Sequence, residues 1–135
     1  MSMSRRSIRE QIFKLLFREP FFAPEELMKQ VEIFAEELAE KDADQVEYIC
    51  AKAKDVLAHI TEIDGKLDAV SEGWPVKRMG KAELTILRLG YYEMHFDEDI
   101  PQSVAINEAV ELAKKYGSED APGFVNAILG KCADE

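Results

Sequence analysis

Apolar side chains recur along nearly the whole chain at steps of three and four residues, the signature of helices with one buried face. In the first such segment Ile8, Ile12, Leu15 and Leu16 fall on one side. Ser7 and Glu10 form an S-x-x-E capping box, which predicts a helix start at Ile8. Pro20 and Pro24 in REPFFAPEEL break the pattern. A second helix follows with Leu27, Val31, Phe34 and Leu38 inward, and a third with Val46, Ile49, Cys50, Ala53, Leu57 and Ile60. A short segment carrying Leu67 and Val70 ends at Gly73 and Pro75.

The fifth segment, KAELTILRLGYYEMHF, departs from this one-sided pattern. Leu84, Leu87, Tyr91 and Met94 share one face, yet Ile86, Leu89 and Phe96 lie on the other. A helix apolar on two sides is a buried central helix. Pro101 suits the first turn of a sixth helix, with Val104, Ala105, Ala109, Leu112 and Tyr116 inward. Lys114 and Lys115 fall in its last turn, where the dipole favours cations, and Gly117 is placed as a C′ residue. Ser118 is the predicted N-cap of a last helix, with Glu119, Asp120 and Pro122 in its first turn and Val125, Ile128 and Leu129 inward. The pattern predicts an all-α fold of about seven helices, and 135 residues suit one domain with a real core.

Charge changes this picture at one end. The chain carries a formal charge of −10, but its first 18 residues hold five basic side chains and one acid. Residues 19–72 hold the bulk of the acidity, five basic against fifteen acidic side chains. An acidic body repels polyanions at long range, so any nucleic-acid contact has to be local. No apolar run approaches the roughly 20 residues of a membrane span, and the basic start lacks the apolar stretch and cleavage site of a secretory signal. Cys50 and Cys132 lack metal-type spacing, and reduced thiols in the cytoplasm are expected.

Candidate chemistry is sparse. His59 and His95 are isolated, and His95 reads as a surface residue compatible with a helix C-terminus. No H-E-x-x-H, C-x-x-C, Walker-type or G-x-G-x-x-G pattern occurs. Glu32, Glu36, Glu37 and Glu40 sit at solvent-facing spacing. No catalytic residue, metal ligand or cofactor is expected. The first helix is the exception, because Arg5 and Arg9 fall in the same arc as Ile8, Ile12 and Leu16. An arginine on a core face is acceptable only where the helix end overhangs its packing partner. Cations at a helix N-terminus also oppose the dipole. Two readings stay open from the residues alone: a frayed solubilising terminus, or an arm that grips phosphate and unpaired bases.

The second half narrows the choice. ELTILRLGYYEM, then DIPQSVAINEAVELAKKYGSEDAPGFVNAILGK, resembles the NusB family of transcription antitermination factors, as does the opening R-R-x-x-R-E with a following Phe17. The resemblance spans almost the full chain, strongest from about Glu83 to Lys131. It implies seven helices in two packed subdomains, divided near residue 72, within a single domain over residues 1–135. It also implies binding of boxA RNA jointly with a small-subunit ribosomal protein acting as NusE. Together these would help RNA polymerase, in an antitermination complex, read through terminators in ribosomal RNA operons. By the same resemblance Arg5, Arg6 and Arg9 belong to the RNA surface, Phe124 is a base-stacking position with Asp120 beside it, and Phe17 and Glu83 face the partner protein. Lys14 and Lys115 are further candidates for RNA contact. Asn107 and Asn126 read as structural residues that cap or bridge helices.

The chain also departs from the family pattern. Many relatives carry His-Lys before the phenylalanine, where this chain has Pro122-Gly123, so a phosphate contact is lost. Weak binding of RNA alone is therefore expected, with the ribosomal partner supplying more basic surface. The exposed first helix would also serve as a self-contact in a homodimer. The alternative function is a helical protein-interaction module that has lost RNA binding. Some RNA methyltransferases carry a similar helical domain ahead of a catalytic one, but these 135 residues hold no such second domain, and enzyme activity is not expected.

Overall fold

The computed structural model describes residues 2–133. Seven α-helices follow one another: α1 (Arg5–Leu16), α2 (Pro24–Glu37), α3 (Ala43–Ala58), α4 (Ile60–Val70), α5 (Lys81–His95), α6 (Gln102–Tyr116) and α7 (Ala121–Cys132). Short 3-10 turns lie at Glu19–Phe21 and Val76–Arg78, and no strand occurs among the described residues. The all-α expectation holds. Packing divides the chain into two compact units, one ending at Ala58 and one beginning at His59. The division falls ahead of the position near 72 expected from sequence, because α4 packs on α5 and α7.

In the first unit α1 packs on α3, with α2 against both. Its core is Ile12, Phe13, Leu15 and Leu16 of α1, Leu27, Val31 and Phe34 of α2, and Ile49, Ala53 and Val56 of α3. Fully burying each large apolar side chain contributes about 1.5–3 kcal/mol. The α3 face is turned slightly from the expected one: Val56 is fully buried, while Val46 and Leu57 are only half-buried. Ile49, Ala53 and Val56 keep strict four- and three-residue steps, and Leu57 lies one position off that line.

The second unit is built around α5, which is buried continuously from Leu84 to Met94. Helices α4, α6 and α7 surround it, as its two apolar sides require. Gly90 lets two neighbours approach together. A Cβ there would stand 2.7 Å from Leu129 Cδ1 and 3.2 Å from the Ala109 methyl. On α6 the inward positions are mostly small: Ala105, Ala109 and Ala113 beside Leu112. Val104, expected inward, is instead 43% exposed.

Arg88 sits among these apolar neighbours and is held by Asp64 of α4 through two parallel hydrogen bonds, Nε to Oδ1 at 2.8 Å and Nη2 to Oδ2 at 2.7 Å. A buried guanidinium needs such a fork-to-carboxylate pairing to offset its lost hydration. His95, read as a surface residue, is half-buried: its ring lies 4.5 Å from that of Tyr91, and Nε2 stands 3.0 Å from the Cys132 carbonyl. It therefore ties the ends of α5 and α7 together.

Candidate nucleic-acid interface

Helix α1 begins earlier than its sequence predicts. Ser4, not Ser7, is the N-cap: its Oγ accepts the Ser7 N–H at 3.1 Å, and Arg5 is the first helical residue. The Ser7–Glu10 pair lies inside the helix, so that pattern misplaced the boundary by three residues. All three arginines are consequently helical and fixed relative to one another. The segment before them is tethered too. Gln45, near the start of α3, accepts the Met3 N–H at 2.7 Å and donates Nε2–H to the Met3 carbonyl at 3.0 Å. This two-way amide clamp removes the frayed-end reading for the residues from Met3 on.

Burial along α1 has the expected overhang. Arg5 and Arg6 are exposed and Arg9 is half-buried, whereas the fully buried positions start at Ile12. No acid occupies the first turn, so Arg5 and Arg6 meet the positive end of the dipole there. Each such cation costs a few tenths to about 1 kcal/mol. Lys14 is exposed but does not join this cluster. Nine residues at about 100° each carry it to the far side of the helix from Arg5. Arg18, the fifth basic residue of the opening segment, is used internally. Its Nη2 pairs with Glu37 at 2.7 Å, Nη1 donates to Gln30, and its guanidinium lies over the Phe34 ring.

Phe17, the C-cap of α1, is half-buried. Its ring stacks on Phe13 at 5.7 Å and meets Phe21 edge-on at 5.5 Å. Phe21 and Phe22 are the more exposed, at 58% and 38%. Helical periodicity does not mark them, because Pro20 and Pro24 interrupt the pattern on either side. Two adjacent phenylalanines between prolines, outside any helical period, were the available signal.

In the second unit, Lys115, Asp120 and Phe124 are brought to one end of the α6–α7 hairpin by the short Gly117–Asp120 loop. Lys115 and Asp120 are exposed and Phe124 is half-buried, as a ring with one free face requires. Asp120, not Ser118, is the N-cap of α7, and its side chain makes no capping bond. Ser118 is otherwise engaged: its N–H donates to Glu83 Oε2 at 3.1 Å. Glu83, in the first turn of α5, thus tethers the loop on which Asp120 stands. Gly117 is extended rather than left-handed, and it is required for space. A Cβ would stand 2.5 Å from the Ala121 methyl and 2.9 Å from the Ala113 carbonyl. Asn107 and Asn126, expected to bridge helices, are exposed, and neither side chain is hydrogen-bonded among the described residues.

Among the described residues, no group of three His, Cys, Asp or Glu side chains is placed to hold a metal ion. No helix there is long and apolar enough to cross a membrane. Cys132 is buried, and burial pushes the half-buried Cys50 thiol up despite the opposing charge of Lys54, so it stays protonated near neutrality.

Two helical units, an ordered arginine-bearing helix start on one and an aromatic beside a basic helix end on the other, define a class of small all-helical proteins with local basic surface on an acidic chain. The chain matches the model of the NusB family over residues 6–134 and belongs to that family. It is 45% identical to the transcription antitermination protein NusB of Agathobacter rectalis over 97% of this chain and 100% of the relative. It is likewise 45% identical to that of Lachnoclostridium phytofermentans, over 98% and 100%. Among solved structures it is similar to T. maritima NusB, with a TM-score of 0.90 and 34% identity over 100% of this chain and 94% of that one. It is also similar to a NusB crystallised with NusE and double-stranded RNA, with a TM-score of 0.79 and 30% identity over 96% of both chains.

Proposed function

We infer that this chain is a transcription antitermination factor that holds boxA RNA jointly with NusE, the ribosomal protein, and so promotes read-through by RNA polymerase, notably in ribosomal RNA operons. The observation that carries this reading is the start of α1. Arg5 and Arg6 are exposed on an ordered, capped and tethered helix end, against the dipole. A fold keeps such a conflict where a ligand resolves it, and a phosphate does so. The relative crystallised with NusE and double-stranded RNA supports RNA as the class of ligand and NusE as the partner. Phe124 supplies a base-stacking face, Lys115 a phosphate contact, and Phe17 with Glu83 the approach of the protein partner. The factor works in the cytoplasm and needs no catalytic group, cofactor or metal.

Replacing Arg5, Arg6 and Arg9 together by alanine tests this reading against a protein-interaction module that no longer binds RNA. Binding of boxA RNA in the presence of NusE should fall at least tenfold. The salt slope should drop by about 2, at roughly 0.7 per single-strand phosphate released. The thermal midpoint should stay level or rise slightly, because cations are removed from the positive end of a helix. Unchanged RNA binding in the triple variant would favour the interaction module.

A further inference from the structure

The turn between α4 and α5 carries the chain's single tryptophan, and the helical core makes little use of it. Trp74 is 52% exposed, although a packed tryptophan buries some 150–250 Å². Lys77 and Arg78 follow it, both exposed, and neither side chain has a hydrogen bond or ion pair among the described residues. From Trp74 to Lys81 the sequence holds three cations and no acid, in a chain that is otherwise strongly acidic. The exposed acids at the turn are Glu72, two residues before Trp74, and Asp68, which is bonded to the Val76 N–H.

This turn is fixed rather than loose. Asp68 Oδ1 accepts the Val76 N–H at 2.7 Å. The backbone closes on itself from Trp74 to Ser71, from Arg78 to Pro75 and from Met79 to Val76. Val76 and Met79 are buried and anchor it from beneath. Only Met79 and Gly80 separate Arg78 from the first turn of α5, where Glu83 holds the loop leading to Asp120 and Phe124. The turn therefore runs from the end of α4, where the Val70 carbonyl accepts from Lys131 of α7 at 3.4 Å, to the α5 start that holds the Ser118 loop.

An exposed indole beside two unpaired cations, on backbone that needs no reordering, has the chemistry of a base-stacking platform with phosphate contacts. A protein hot spot also uses tryptophan and arginine, but it sits in an apolar surround. Here the exposed residues flanking Trp74 in the chain are Glu72, Gly73, Lys77 and Arg78, with exposed Asp68 bonded at Val76. We propose that Trp74, Lys77 and Arg78 form an additional contact for single-stranded RNA on the second unit, beyond the one at Phe124. The proposal rests on the RNA-binding function inferred above.

Trp74 is its own reporter, since no other tryptophan contributes to the emission of this chain. The full chain with NusE is titrated with boxA RNA, alone or extended by a single strand of about ten nucleotides, within the span of one such site. Affinity is read by anisotropy of labelled RNA and stacking by Trp74 emission, corrected for NusE. The extended RNA should quench Trp74 and bind about tenfold tighter than the short one. K77A/R78A should abolish most of that gain, lower the salt slope by about 1.4, and leave short-RNA affinity and the unfolding midpoint unchanged. W74F, which keeps a stacking face, should retain most of it. Equal affinity for both RNAs with unaltered emission overturns the proposal while the parent function stands. Failure of either RNA to bind overturns both. An emission change caused by NusE alone, with none added by RNA, assigns the turn to protein contact and also overturns the proposal.

Discussion

Position, not charge, decides what each cation of the opening segment does. Arg18 is closed in by Glu37, Gln30 and the Phe34 ring, so it stabilises the first unit and offers little to a ligand. Arg5 and Arg6, one helix length earlier, remain in water. Glycine shows the same dependence on place. At Gly90 alanine would gain about 1 kcal/mol of helix propensity. It would also push a methyl against Leu129, which is fully buried and has nowhere to turn, and against Ala109 on a fixed backbone. Overpacking of this kind costs about 1–3 kcal/mol. Gly90→Ala should therefore be net destabilising by about 1 kcal/mol, and Gly90→Val by more, read from urea midpoints. A stabilised Gly90→Ala would mean that α6 and α7 are less tightly seated on α5 than described.

At the scale of the element, α1 depends on a residue outside it. Gln45 of α3 holds the Met3 peptide from both sides, which keeps the arginine-bearing turn wound. Gln45→Ala should raise amide exchange over residues 3–8 and weaken RNA binding several-fold, with a shift of only a degree or two in the global melting point. Exchange unchanged over those residues would show that the Ser4 cap alone suffices. The helices were legible in sequence because a 3.6-residue period survives wherever one face is buried, and α5 stood out because it is buried all round. Helix boundaries were not, since Ser4 and Ser7 are equally good caps on paper and only the Met3–Gln45 tether selects the first. The Arg88–Asp64 pair was also invisible, because it joins residues 24 positions apart. The exposure of Arg5 and Arg6 was legible, because arginines on the apolar arc require an overhanging helix end. The engagement of Glu83 with Ser118 was hidden, because it depends on how α5 meets the α6–α7 loop.

For the whole molecule, the net charge of −10 and the basic patches have complementary effects. The acidic body repels RNA at distances up to roughly a Debye length, about 8 Å at physiological salt, and local cations act only on a strand already in place. On the function proposed above, such a protein discriminates against indiscriminate RNA binding and needs a partner to bring enough positive charge, an expectation that the partner titration tests. The account's central claim is this joint binding. The most direct test is titration of labelled boxA RNA with the full chain, with NusE, and with both, at one physiological salt concentration. The account predicts weak binding by this chain alone and at least tenfold tighter binding by the pair than by either protein. Equal affinity with and without NusE would contradict it.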